Sequence, residues 1–201
     1  MKKVIIFALF LVVASGVMAQ VANFKGFSGG LNLNTVSAST KITGDDTTFN
    51  GIGQQSWNGS LQAAYGFVTS PSTVISIGGT YGLGNIKAGE IVTPDRAFAI
   101  KVKNQLSLYV EPGFLLSNST LAYGKISYNK AKAVSTFTGG PDESQSMKGT
   151  GFGFGVRTML DKRTFFQVEV NQVGYKQFTY ADGGSFKPKA TVGTMGFGVK
   201  F

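Results

Sequence analysis

The last eleven residues, Thr191-Val192-Gly193-Thr194-Met195-Gly196-Phe197-Gly198-Val199-Lys200-Phe201, alternate with a period of two up to the final side chain. Met195, Phe197, Val199 and Phe201 fall on one face of a strand, and Thr194, Gly196, Gly198 and Lys200 on the other. A chain folded in water rarely finishes on a flat apolar edge, because such an edge recruits other chains. In a closed barrel the same edge pairs with the first strand, and in lipid its apolar face belongs outside. The segment therefore restricts the fold to a sheet that seals on itself.

At the other end, Lys2 and Lys3 precede an apolar run from Val4 to Val13, and Val17-Met18-Ala19 offers a cleavage site before Gln20. This is the layout of an export signal over residues 1–19, leaving a single domain over 20–201. An apolar run of about ten residues is too short for a spanning helix, which needs about 20. No other long apolar stretch follows, so membrane contact has to be made by strands. Export through the Sec route combined with a lipid-facing terminal strand places the chain in the outer membrane of a Gram-negative cell.

Alternation predicts eight strands, over residues 24–35, 55–68, 73–84, 97–116, 120–134, 147–160, 164–180 and 188–201. Tight connections at 69–72, 117–119 and 161–163 alternate with longer polar ones at 36–54, 85–96, 135–146 and 181–187. Short turns on one side and long loops on the other describe an antiparallel up-and-down transmembrane β-barrel.

The outward faces are read as Phe27, Leu31 and Leu33; Trp57, Leu61, Tyr65 and Phe67; Ile75, Ile77, Tyr81 and Leu83; and Ile100, Val102, Leu106, Leu108 and Val110. They continue with Ile126 and Tyr128; Phe152, Phe154 and Val156; Phe166, Val168 and Val170; and the terminal set. The opposite faces carry Asn32, Asn34, Asn58, Ser60, Gln62, Ser76, Gln105, Gln167 and Asn171. A lipocalin-like soluble barrel would invert these faces, but the apolar set is bulkier than a small barrel's interior can hold. Aromatics gather toward the turn side (Phe24, Phe27, Tyr65, Phe67, Phe114, Phe165, Phe201) and the loop side (Trp57, Tyr81, Phe98, Tyr128, Tyr175, Phe178), as two interfacial girdles would require.

Few charges lie within strand middles, and Glu111, Lys125, Arg157 and Glu169 all fall on the polar face. A hairpin centred on Asn118 sets Glu111 opposite Lys125, while Arg157 faces Gln167 or Glu169 in the next hairpin. Two acids and two bases then form one neutral layer across the lumen. The expected role is a salt-bridged plug; the alternative is a gate that opens when the pairs exchange.

The stretch Ser107-Leu108-Tyr109-Val110-Glu111-Pro112-Gly113-Phe114, a short turn, and Leu121-Ala122-Tyr123-Gly124-Lys125-Ile126-Ser127-Tyr128 resemble the small OmpA/OmpX-type eight-stranded outer-membrane barrels. The ending Gly196-Phe197-Gly198-Val199-Lys200-Phe201 looks like that family's C-terminal assembly signal, carried here by Met195, Phe197, Val199 and Phe201. The resemblance implies insertion by the barrel assembly machinery and lumenal pairs of Glu111 with Lys125 and Arg157 with Glu169. It also implies roles from envelope stabilisation through adhesion and host-factor binding to slow pore activity.

The remaining features exclude more than they assign. The net charge of +9 includes no basic run, and an exported chain meets no nucleic acid. With no cysteine there is no disulfide or thiolate metal site. With no histidine the acid–base chemistry used by barrel hydrolases lacks its usual proton carrier, so no enzyme and no cofactor are expected. The glycines at 151–155 continue a strand instead of opening a helix, so they are not a phosphate loop. Asp45-Asp46 alone is too few ligands for a metal. Lys130, Lys132, Lys187 and Lys189 lie toward the loop ends, where they are placed to meet the phosphates of lipopolysaccharide. The long loops are the expected contact surface for a host or surface ligand.

Overall fold

The computed structural model describes residues 21–43, 48–52, 54–92, 97–137, 143–179 and 185–201. The export signal and Asp45-Asp46 lie outside the described residues. After one short helical turn at Val21–Phe24 the chain is built of strands: β1 (Gly26–Thr43), β2 (Thr48–Ile52), β3 (Gln55–Ser70), β4 (Thr73–Leu83), β5 (Ile86–Val92), β6 (Ala97–Leu115), β7 (Thr120–Phe137), β8 (Glu143–Met159), β9 (Thr164–Tyr175), β10 (Phe178–Thr179) and β11 (Ser185–Lys200). Eight of them, β1, β3, β4, β6, β7, β8, β9 and β11, pair in that order, each antiparallel to the next. The ring closes where β11 pairs with β1, from Ser28 opposite Lys200 to Thr43 opposite Ser185. The fold is therefore a closed eight-stranded antiparallel barrel, and the terminal strand is the one that seals it.

The short strands β2 and β5 extend the ladder where the sequence suggested loops, and the strand expected over 164–180 breaks after Tyr175 and resumes as β10. The long strands also overrun their expected limits: β1 continues to Thr43, β8 begins at Glu143 and β11 at Ser185. The apolar alternation fades beyond the lipid, but backbone N–H and C=O groups still need partners and the neighbouring strand supplies them. Thr and Ser, frequent in these extensions, suit an extended chain.

Outward and inward faces separate by burial along each strand. Leu31, Phe154 and Phe197 are 61%, 70% and 62% exposed, whereas Asn32, Gln167 and Glu169 between or beside them are buried. Exposure of this kind in a row of large apolar side chains marks the surface covered by hydrocarbon.

Strand β6 departs from the expected faces. Lys103 pairs with Lys132 and Leu106 with Lys130, so Asn104 and Gln105 together stand against Ala131 alone. Asn104 takes a positive φ of 52°, a conformation that asparagine tolerates better than most residues. The bulge inverts the alternation above it. Ile100 and Val102, expected on the lipid face, line the interior, and Lys101 is exposed. On the strand facing this bulge, the ladder breaks between β4 and β5 at Gly84, whose φ of 95° suits only glycine.

The turn end of the lumen is closed by a small apolar core of Phe24, Val74, Leu115, Leu121, Met159 and Phe165, with Val21 packed against it. Phe24 and Phe165 were expected in the turn-side girdle; at 8% and 3% exposure they are inside. Phe166 is the outward member of the Phe165-Phe166 pair, and Gly198, directly across from Phe165, leaves room for its ring.

The turn after β8 is fixed by Asp161. Its carboxylate accepts from the Thr164 hydroxyl and from the backbone N–H groups of Arg163 and Thr164 at 2.7 and 2.8 Å. These hydrogen bonds, led by the hydroxyl, lower its pKa from 3.8 to about 2. A carboxyl depressed on folding stabilises above its unfolded value, and the contribution disappears as pH falls through the folded one. The stability gap between wild type and Asp161→Asn should therefore be constant above about pH 5 and narrow between about pH 4 and 2. Thermal unfolding of both proteins at stepped pH checks this; a gap unchanged down to pH 2 would reject it.

Candidate functional site

The mid-lumen is built by four consecutive strands that each turn one charged residue inward: Glu111 on β6, Lys125 on β7, Arg157 on β8 and Glu169 on β9. All four are at least nine-tenths buried. Lys125 Nζ stands between the two acids, donating to Glu169 Oε2 at 2.8 Å and lying 3.3 Å from Glu111 Oε1, an ionic contact without hydrogen-bond alignment. Arg157 Nη2 donates to Glu111 Oε2 at 3.0 Å, and its Nε donates to Gln167 Oε1 at 3.0 Å.

The structure thus brings all four charges together but pairs them differently from the resemblance. Arg157 bonds Glu111, not Glu169. The ladder sets Arg157 opposite Gln167 and Glu169 opposite Gly155, so the guanidinium is held by Gln167 and reaches past β7 to β6. A glycine across the hairpin leaves Glu169 free to lean toward Lys125. Each cation also lies over an aromatic face: Lys125 Nζ is 4.0 Å from the centroid of Tyr109, and Arg157 Cζ is 5.1 and 5.2 Å from those of Tyr123 and Phe165. The Tyr123 hydroxyl donates to Glu169 Oε2 at 3.2 Å.

Sequence reading set Gln167 or Glu169 against Arg157, and the ladder gives Gln167; it missed Tyr109 and Tyr123 as members of this layer. The signal was available: Tyr109 shares a face with Glu111, and Tyr123 with Lys125, at period two. Directly above, Gln167 Nε2 donates to Gln62 Oε1 at 2.6 Å and to Asn32 Oδ1 at 3.2 Å, and Asn32 Nδ2 donates to Gln62 Oε1 at 3.1 Å. Asn34 bonds Ser60, and Thr194 bonds Asn34, at 3.0 and 2.9 Å. A belt of neutral amides and hydroxyls therefore caps the ionic layer.

Above this belt the interior changes character. Val36, Ile86, Ala131, Val134, Met147 and Val173 are all buried, so the upper lumen is apolar where a wholly polar interior was expected. Of these, Val36, Ile86, Met147 and Val173 line a cavity of about 170 Å³, together with Ile100 and Val102 and with the amide belt as its floor.

Outside, Lys130, Lys132, Lys187 and Lys189 are exposed. Lys130 is paired with Lys148, which is also exposed, and Lys132 with Lys103. This is a four-lysine patch across β6, β7 and β8. Met195, Phe197, Val199 and Phe201 are exposed at 59%, 62%, 41% and 85% on the lipid face of β11.

The model of the outer membrane protein beta-barrel domain matches residues 5–201. Among solved structures, Ail of Yersinia pestis in complex with the heparin analogue sucrose octasulfate is 16% identical, with a TM-score of 0.51 over 88% of this chain and 99% of that one. Neisserial surface protein A is 14% identical, with a TM-score of 0.50 over 87% and 99%. OprG of Pseudomonas aeruginosa is 17% identical, with a TM-score of 0.50 over 88% and 96%. At these identities the likeness is one of fold. No curated protein matches the sequence.

Proposed function

The chain belongs to the outer-membrane β-barrel family and resides in the cell outer membrane, and from this premise we infer that it is a closed barrel with a structural and surface-interaction role. The observation that carries the reading is the stack of two barriers in the lumen. The ionic layer of Glu111, Lys125, Arg157 and Glu169 acts as a plug, and beneath it the core around Phe24, Leu115 and Leu121 removes the remaining passage. Eight strands leave an interior just wide enough for side chains. Residues 1–19 act as the export signal, and Met195, Phe197, Val199 and Phe201 present the face read by the assembly machinery.

The outward lysines, including Lys130, Lys132, Lys187 and Lys189, bind anionic lipid headgroups such as lipopolysaccharide phosphates. Each contributes about 1 kcal/mol by analogy with anionic leaflets. The strands that extend past the membrane then hold the loop ends as a rigid platform for surface contacts. Ail has been crystallised with a sulfated heparin analogue, which supports an anionic ligand for a basic loop end of this kind.

Refolded protein in planar bilayers is expected to insert without discrete conductance steps. Reproducible steps whose size changes in Glu111→Gln would instead make the layer a gate and the protein a small-solute channel.

A further inference from the structure

The geometry points to a binding site for a small, neutral, hydroxyl-bearing apolar molecule in the upper lumen, in the cavity above the amide belt. This goes beyond the plug reading, since a ligand can occupy the cavity whether or not the layer below conducts.

Size sets the first bound. An apolar cavity of about 150 Å³ accommodates benzene, so the 170 Å³ here suits a molecule of similar bulk with a small polar head. The wall supplies the second. Val36, Ile86, Val102, Met147 and Val173 line the cavity and offer dispersion contacts but no polar partner.

The floor supplies the third. Asn58 Oδ1, Asn171 Oδ1 and Ser107 Oγ line the same cavity and have no hydrogen-bond partner among the described residues. Asn58 and Asn171 are more than nine-tenths buried, at 9% and 7% exposure. Asn58 spends an amide hydrogen on Gln105 Oε1 at 2.8 Å, and its carbonyl oxygen stays unpaired. Buried acceptors without donors are destabilising, and a ligand that donates to them removes that penalty.

Both carboxamide oxygens accept, so the ligand must donate. A cation would also donate, but Lys125, Lys130 and Lys189 border the cavity against a single carboxylate, Glu169, which Lys125 already neutralises, so a further positive charge is disfavoured. A carboxylate brings no donor when ionised. A hydroxyl on an aromatic or aliphatic body donates its one hydrogen to a floor carboxamide oxygen and sets its apolar body against the walls.

Three methionines make the test internal. Met147 lines the cavity, Met159 lies in the core at the turn end, and Met195 is exposed on the lipid face. Methyl-labelled methionine in the refolded full barrel, held in lipid nanodiscs, should be followed by NMR while benzyl alcohol is titrated. The expected result is a saturable shift of Met147, with Met195 moving only linearly as the probe partitions into lipid and Met159 unmoved. Toluene, which lacks the hydroxyl, should bind Met147 at least about tenfold more weakly, because it leaves the floor acceptors unpaired. Replacing both floor acceptors, in the double variant Asn58→Leu and Asn171→Leu, should erase that preference. Met147→Trp, which fills the cavity, should abolish saturation, read at the amides of Asn58 and Asn171. A Met147 shift no more saturable than that of Met195, or equal affinity for toluene, would overturn the site. Saturable binding together with discrete conductance would sink the plug and leave the site standing.

Discussion

Lys125→Met should unfold at a clearly lower temperature than wild type, with a stability loss of about 3–5 kcal/mol, the usual result of removing one partner from a buried ionic group. Methionine keeps most of the side-chain volume, so the loss reports charge and not a cavity. Lys125 is the cation shared by both acids. Without it Glu111 still has Arg157, while among the described residues Glu169 retains only the Tyr123 hydroxyl. Adding Glu169→Gln to Lys125→Met should restore much of the loss, because a neutral amide no longer needs a counter-charge. The measurement is thermal unfolding in detergent, read by heat-modified gel mobility. An unchanged midpoint in Lys125→Met would mean the layer contributes nothing as a plug.

The second large effect belongs to the outer wall. Phe154, level with Gly124 of β7 and one residue from the Gly153 that faces Lys125, sits at the height of the ionic layer. Phe154→Arg should destabilise the inserted barrel by about 2–4 kcal/mol, the penalty for a guanidinium at mid-depth in lipid. Thr150→Arg, on the same strand and face but nearer the loop end, should cost about 0–1 kcal/mol. Urea titration of vesicle-inserted barrels compares the two. Equal losses would mean that the face of β8 does not lie across the hydrocarbon as its exposure indicates.

The contrast between the two sites explains what the sequence could reveal. Period-two alternation carried strand number, order and most outward faces, because each side chain's face depends only on parity within its strand. The facing of Glu111 and Lys125 followed from a hairpin centre at Asn118 for the same reason. Parity fails at a bulge, and nothing in Lys103-Asn104-Gln105-Leu106 announces that two residues will stand against one; Ile100 and Val102 therefore went to the wrong face. The bond from Arg157 to Glu111 was equally hidden, since it crosses a whole intervening strand and depends on the width of the closed lumen. Glycine content hinted at that width. The inward glycines at 151, 153, 155, 196 and 198 could be counted, but which large side chain each would admit required the ring to be closed.

The placement of the four charges has a consequence for the order of assembly. They come from β6, β7, β8 and β9, an unbroken run of hairpins, and no side chain from the closing seam takes part in their ion pairs. Across the seam the lumenal bonds are neutral, from Gln167 to Asn32 and Gln62 and from Thr194 to Asn34, the last between residues 160 positions apart. The charges can thus cancel within a half-formed sheet, between strands that follow one another in the chain, before its two ends meet. When β11 reaches β1, the lumenal residues brought together at mid-depth are hydroxyls, amides and glycines, and the seam lysines Lys187, Lys189 and Lys200 stand toward its two ends. Closure therefore carries no ion of the central layer out of water.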